Sequence, residues 1–254
     1  FITAEGTTVN SLAKWNGSTW SAFGSGTDDS VFALAFDASG NLYAGGAFST
    51  AGGNAANYIA KWNGATWSAL GSGMNNEVFA LAFDASGNLY AGGFFTTAGG
   101  TAANRIAKWK GSAWSALGSG LNNTVLALAF DASGNLYAGG DFTTAGGITV
   151  NRIAKWNGST WSALGSGLNN TVLALAFDAS GNLYAGGTFT TAEATTVSRI
   201  AKWNGSTWSP LGSGMNSSVK ALALDTAGNL YAGGAFTTAE TTTVNRIAKW
   251  GRKL

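Results

Sequence analysis

Apolar residues in this chain come in short runs of strand length, each closed by a turn. Residues 31–36 read VFALAF, a run too short for a globular helix. The Asp-Ala-Ser-Gly-Asn that follows predicts a strand entering a hairpin, with Gly40 supplying the left-handed conformation. A second strand is expected from Leu42 to Phe48, then a polar loop from Ala51 to Asn57, and a third strand from Tyr58 to Trp62. Asn63-Gly64 predicts a turn into a fourth strand from Thr66 to Leu70. Within the first run Val31, Ala33 and Ala35 alternate with Phe32, Leu34 and Phe36, so both faces are apolar and small residues back onto large ones. That is the pattern of a strand covered on both sides.

The same pattern returns along the whole chain. The tripeptide Ala-Lys-Trp places tryptophan at 15, 62, 109, 156, 203 and 250, a period of 47 residues without insertion. Copies of the unit begin at Val31, Val78, Val125, Val172 and Val219, and residues 1–30 match its second half. Four short strands per unit leave no room for helical repeats, and the unit is longer than a β-helix coil. The expected architecture is an all-β five-bladed β-propeller spanning residues 1–250 as one domain, with four antiparallel strands per blade. Inner strands would crowd the axis, and outer-strand residues such as Trp62 and Trp67 would fill the widening wedges between blades.

The third strand occurs six times and every other strand five times. The last blade would draw its first two strands from residues 219–236 and its outermost from residues 19–23. Its third strand is expected from residues 11–15, joined to 19–23 by a short hairpin, with 246–250 as the alternative. Either copy would latch the two ends and protect the sheet edges. Residues 251–254 break the repeat and read as a cloning remnant.

Composition narrows function more than fold. The 254 residues include no Cys and no His, which removes a Cys nucleophile, a His general base and a His/Cys metal centre. A non-enzyme without cofactor or metal is the expectation. Lys and Arg number 14 against 12 Asp and Glu, too thin a balance for a stripe that tracks phosphates, so nucleic acid is not an expected partner. No apolar run approaches a membrane span. Phe1 follows neither a signal peptide nor an initiator Met, so the chain reads as a trimmed piece. A natural chain of this kind fits a secreted or cell-surface setting better than the cytoplasm.

The stretch VLALAFDASGNLYAGG resembles the first hairpin of WD40-like blades, and RIAKWNG resembles their third strand, in the same order. Five units of this length are also similar to the tachylectin-type propeller lectins, whose inner hairpin carries Leu-Tyr-Ala, as at Leu42-Tyr43-Ala44 here. That resemblance implies a propeller and binding of N-acetylated sugars between blades. The Asp-Asn-Trp loop of those lectins does not occur in this chain, so no sugar site carries over residue by residue. The WD dipeptide is missing too, and the copper ligands of galactose-oxidase-like kelch propellers would require His.

Several recurring residues have structural readings beside their functional ones. Asp37, Asp84, Asp131, Asp178 and Asp225 offer one carboxylate per turn, which suits bracing of the hairpin and falls short of a calcium loop. Trp pairs such as Trp62 with Trp67 are expected to seal the blade rim; exposed, they would make a sugar-stacking platform. The ring of cations from Lys14 to Lys249, with Arg105, Arg152, Arg199 and Arg246, reads as a solvated edge. Differences among the copies concentrate at 47, 94, 141, 188 and 235 and in the loops before the first strand and after the second. In a meander these positions share one face. They nominate Asn75, Asn76, Asn122, Asn123, Asn169, Asn170 and Asp141 as ligand-facing residues, with drift in unconstrained loops as the alternative. The functional expectation is a non-catalytic binding or display module, taking a glycan or a protein ligand, as a monomer or a strand-swapped oligomer. Its competitor is a repeat-amplified or engineered scaffold, or a fragment of a longer array, with no evolved ligand.

Overall fold

A computed structural model of the chain describes residues 1–251, and every regular element among them is a strand. Residues 252–254, most of the tail read as a remnant, lie outside the described residues. Two compact units divide the chain, residues 1–120 with the first two blades and residues 121–254 with the other three.

In the first blade Val31–Phe36, Leu42–Gly46, Ile59–Trp62 and Trp67–Ala69 pair in chain order as an antiparallel meander. The apolar run and its turn dictate the first pair. Asp37 Oδ1 accepts the N–H groups of Ser39 and Asn41 at 3.0 and 2.9 Å, and Asn41 Nδ2 donates to Asp37 Oδ2 at 2.8 Å. Gly40 sits at φ 81° and closes the turn. From Phe36 opposite Leu42 the ladder runs to Ala33 opposite Gly45, where a bulge leaves Phe32 unopposed and sets Val31 against Gly46. The second, third and fourth blades repeat this order and register.

The expected polar loop is more ordered than its composition implies. Thr50–Ala51 pairs with Asn54–Ala55 around left-handed Gly52 and Gly53, and Thr27 bridges to Ala51. The loop before the inner strand is thereby tied to the loop after the second.

Neighbouring blades meet in a repeated way within each unit. A Cβ on Gly45 would lie 2.5 Å from Val78 Cγ1 of the second blade. In the other unit the same holds for Gly139 against Val172 at 2.5 Å and Gly186 against Val219 at 2.6 Å. The first glycine of each pair is the notch that admits the next blade. At the rim the fourth-strand tryptophans are buried. Trp208 packs with Leu164, Leu168, Leu183 and Val197, and its Nε1 donates to Leu164 O at 3.2 Å. Trp67 donates likewise to Phe23 O at 2.8 Å, and Trp114 to Leu70 O at 2.9 Å. One indole therefore bolts each of these blades to the preceding fourth strand. The third-strand partner packs beside it at a tilt, with ring centroids of Trp203 and Trp208 5.3 Å apart and planes at 48°.

The surplus third strand resolves differently from the expectation. In the fifth blade Ile247–Trp250 pairs with Leu230–Gly234, in the register that Ile200–Trp203 takes with Leu183–Gly187. Val219–Leu224 completes a three-stranded sheet, while Ala13–Trp15 pairs with Trp20–Ala22 in a ribbon of its own. Residues 11–15 thus do not supply the third strand. The two candidates carry the same Ala-Lys-Trp, and the C-terminal one reaches its place through a short local loop, which closes at a lower entropic cost.

Gly186→Ala must displace Val219 and is expected to destabilise by about 1–3 kcal/mol. Gly233 has no neighbour nearer than 3.9 Å, so Gly233→Ala is expected within about 0.5 kcal/mol of the parent in dilute solution. Urea denaturation of both variants checks this, and equal losses would contradict the notch.

Candidate functional site

The loop before each inner strand is held by one side chain. Asn75 Oδ1 accepts the N–H groups of Thr96 and Thr97 at 2.8 and 3.0 Å, and Nδ2 donates to Thr96 Oγ1 at 2.8 Å. Asn122 makes the same three bonds to Thr143 and Thr144, and Asn169 to Thr190 and Thr191. In the first copy Asp28 takes the role, accepting from Ser49 and Thr50 N–H and from Ser49 Oγ. Hydrogen bonds outweigh the raising effect of its slight burial and hold its carboxyl below the usual carboxylate value. The amides of Asn75, Asn122 and Asn169 are therefore spent on bracing two loops together.

Their neighbours differ. Asn76, Asn123 and Asn170 use Oδ1 to accept the next N–H, of Glu77, Thr124 and Thr171, at 2.8–2.9 Å, and their Nδ2 groups brace no second loop. Asp141 accepts from Thr171 Oγ1, and its carboxylate lies 3.9 Å from the Arg152 guanidinium, which also donates to Asp141 O. Within the second unit this joins Asp141 to the loop that carries Asn170.

A shallow polar depression recurs beside these braces, once in each unit at repeat-equivalent positions. In the first unit it holds roughly 380 Å³ and is lined by Asn10, Ser11, Ser25, Gly26, Asp28 and Thr50 among others. Its counterpart in the second unit, roughly 330 Å³, is lined by Asn151, Arg152, Ser166, Gly167, Asn169 and Thr191 among others. Asn10 Nδ2 donates to Ser25 O, and Asn151 Nδ2 to Ser166 O, both at 2.9 Å. Asn10, Ser11, Asn151 and Arg152 all have left-handed φ, between 40° and 72°. Such conformations cost free energy in a non-glycine residue and gather where surroundings impose them. Sequence reasoning passed over Asn10, Ser25, Asn151 and Ser166. The available signal was Gly-Ser-Gly, unchanged in all five copies, whose second glycine has no room for a side chain against the Asn10 or Asn151 backbone.

On the opposite turns the cations are tied down. Lys108 Nζ lies 3.2 Å from Asp84 Oδ2 and 4.9 Å from the centre of the Tyr90 ring, and Lys61 stands similarly between Asp37 and Tyr43. These lysines belong to the turn network and are not a loose solvated edge. Burial works to raise the Asp84 and Asp178 carboxyls, but hydrogen bonds from Asn88 and Asn182 prevail and hold both below their ordinary value. Burial, with Asp131 beside it, pushes the Tyr137 hydroxyl up to about 12. Trp67, Trp114, Trp161 and Trp208 are buried and offer no stacking platform; the exposed pair is Trp15 with Trp20.

Strand order, register and wedge-filling indoles define the class: the chain has the β-propeller fold, with five blades. Solved structures share it. The chain resembles U3-55K with a TM-score of 0.59 and 16% identity over 89% of this chain and 62% of that one. For the WD40 repeats of RRP9 the TM-score is 0.56 at 16% identity, over 82% of this chain and 58% of that one. A protein described as the extracellular domain of a hybrid two component system from B. thetaiotaomicron gives 0.56 at 14% identity, over 86% of this chain and 27% of that one. The chain spans less than two thirds of each, and at these identities the likeness is to the fold. No family profile and no curated protein matches the chain.

Asn122→Ala removes three hydrogen bonds that tie two loops and is expected to cost about 1–2 kcal/mol, whereas Asn123→Ala, losing one exposed turn bond, should stay within about 0.5 kcal/mol. Thermal melts of the two variants read the difference, and indistinguishable melts would contradict the brace. A carboxylate with a depressed folded-state value stabilises above its unfolded value, and that stabilisation is lost as pH falls through the folded one. The melting temperature should therefore hold from neutrality down to the ordinary aspartate value of 3.8 and drop below it. A rise below that pH would contradict the turn network.

Proposed function

We propose that the chain is a non-catalytic binding module whose shallow polar grooves take hydroxyl-rich ligands, with a carbohydrate as the substrate class. The observation that carries this reading is recurrence: both units present a depression of similar volume, built from equivalent residues and lined by amides, hydroxyls and backbone groups. Amides, hydroxyls and backbone groups in a shallow cleft, beside Asp28 in one unit and Arg152 and Glu193 in the other, suit a polyol, which needs many modest hydrogen bonds. In this reading a bound ligand extends past the groove lining to the Asn170 amide next to Asn169, while Asn76, Asn123 and Asp141 lie outside the residues that line the two depressions. Asn169 both lines the second depression and braces its loops, as Asn75 and Asn122 brace theirs. Individual affinities would be weak and summed by multivalency. The near-identity of the copies and the amides spent on bracing favour a second reading, a scaffold that displays its loops without an evolved ligand.

A glycan array at high protein density separates the two. The binding reading expects density-dependent signals that fall several-fold in Asn170→Ala while the melting temperature is unchanged. Silence at every density would contradict it and leave the scaffold.

A further inference from the structure

We propose that a groove between the fourth and fifth blades, on the side of the hairpin turns at Asp178 and Asp225, binds a small aromatic carboxylate. The groove lies wholly within the second unit and shares no lining residue with the polar depression there, so the inference stands independently of the ligand proposed above.

Four positions at this one junction depart from an otherwise constant repeat. Tyr137 meets Phe177 of the next blade edge to face, with ring centroids 4.9 Å apart, and Tyr43 meets Phe83 likewise at 5.1 Å. One repeat after the pair of Tyr137 and Phe177, Leu224 takes the phenylalanine's place opposite Tyr184. Leucine is smaller and carries no ring, and a groove of about 320 Å³ opens beside Tyr184. Pro210 lines it where every other copy has alanine, and Thr226 and Ala227 line it where the others have Ala-Ser. A fourth strand laid on the fifth blade would leave the groove in place. The first blade has its fourth strand, and the equivalent groove there, lined by Lys14, Ala22, Phe23, Leu42 and Trp62 among others, holds about 330 Å³.

The lining decides the chemistry. Pro210, Leu211, Leu230 and Trp250 supply apolar surface, and Asp178 and Lys202 supply opposite charges. The carboxylate is already satisfied within the turn. Asp178 accepts the N–H groups of Ser180 and Asn182, both at 2.9 Å, the Asn182 side-chain amide at 2.7 Å and the Tyr184 hydroxyl at 3.2 Å. The ammonium is placed differently. Lys61 and Lys108 lie 3.7 and 3.2 Å from their turn aspartates, whereas Lys202 makes no ion pair among the described residues and stands 5.9 Å from the centre of the Tyr184 ring. Lys202 is therefore the charge left to a ligand, and a carboxylate meets it with a charge-assisted hydrogen bond, stronger than a neutral one. The apolar walls call for a body that needs no hydrogen bonds of its own, and Tyr184 and Trp250 on the lining favour a flat, aromatic one. The volume stands at the small end of ligand pockets, which suits one ring system with a short acidic arm.

Titration with phenylacetate, followed by the amide and indole NMR signals of the full chain, tests this, with phenylacetamide as a control of the same shape without the charge. The signals of Trp250, Thr226 and Gly228 should shift together and saturate with phenylacetate, and phenylacetamide should bind at least about fivefold more weakly. Lys202→Met keeps an apolar stem and removes the cation, so it should erase the difference between the two probes. Lys155→Met, at the equivalent lysine of the third blade, should leave both affinities unchanged. Leu224→Phe restores the residue of the other copies and should abolish binding of both probes with no loss of melting temperature. No saturable shift at these residues overturns the proposal, as does equal affinity for the two probes. Binding that survives either Lys202→Met or Leu224→Phe unaltered overturns it too, and so does an equal loss in Lys155→Met.

Discussion

Within each unit the blades depend on junctions with a neighbour: indoles bolted to the previous fourth strand at the rim, as at Trp114 and Trp208, and valines seated on glycines near the inner strands, as at Val78 and Val219. Strands of three to six residues cannot hold a four-stranded sheet unaided, and small antiparallel sheets need a covered face to persist in water. The junction supplies that cover between neighbouring sheets of a unit. It also accounts for the composition, since the tryptophans and the paired glycines are the two halves of the same contact. As in other repeat proteins, stability then accrues between nearest neighbours, and terminal copies are the exposed ones.

Function rests on the loops that this packing frees. Within each copy a single Asn or Asp clamps the loop before the inner strand to the loop after the second, and once in each unit a left-handed Asn with its Ser or Arg neighbour shapes a polar groove beside it. Since the clamp uses backbone N–H groups, the loop geometry survives changes at outward positions such as 141 and 188. A fixed cleft with variable edges is the arrangement that lets near-identical copies differ in what they touch.

Much of this was legible in the amino-acid sequence. The spacing of tryptophan revealed the period and the five copies of the inner strand the blade count, and the hairpin turns at Asp37 and its equivalents followed from turn chemistry. The bulge at Phe32 was not legible, because a continuous apolar run carries no mark of which residue goes unpaired. Gly52-Gly53 was passed over as loop although paired glycines favour a hairpin, and later copies hide the same turn behind Glu193 and Glu240 at φ 53° and 52°. The choice of terminal third strand was illegible in principle, since residues 13–15 and 248–250 are identical. Among the nominated residues, Asn75 and Asn76 look alike in sequence, and only the hydrogen bonds separate the brace from the free amide. The exchange of Asn for Asp28 in the first copy was the available hint, as both side chains offer the acceptor oxygen that the brace needs.

Amide hydrogen exchange on the repeated segment Arg-Ile-Ala-Lys-Trp tests the central claim most directly. The segment occurs at 199–203 and 246–250 with the same residues, so intrinsic exchange rates match and differences report packing. The account predicts strong protection at 199–203, where Trp208–Pro210 pairs with Ile200–Trp203 and Trp208 bolts the blade, and faster exchange at 246–250, where the sheet ends at its third strand. Equal protection of the two segments would contradict it.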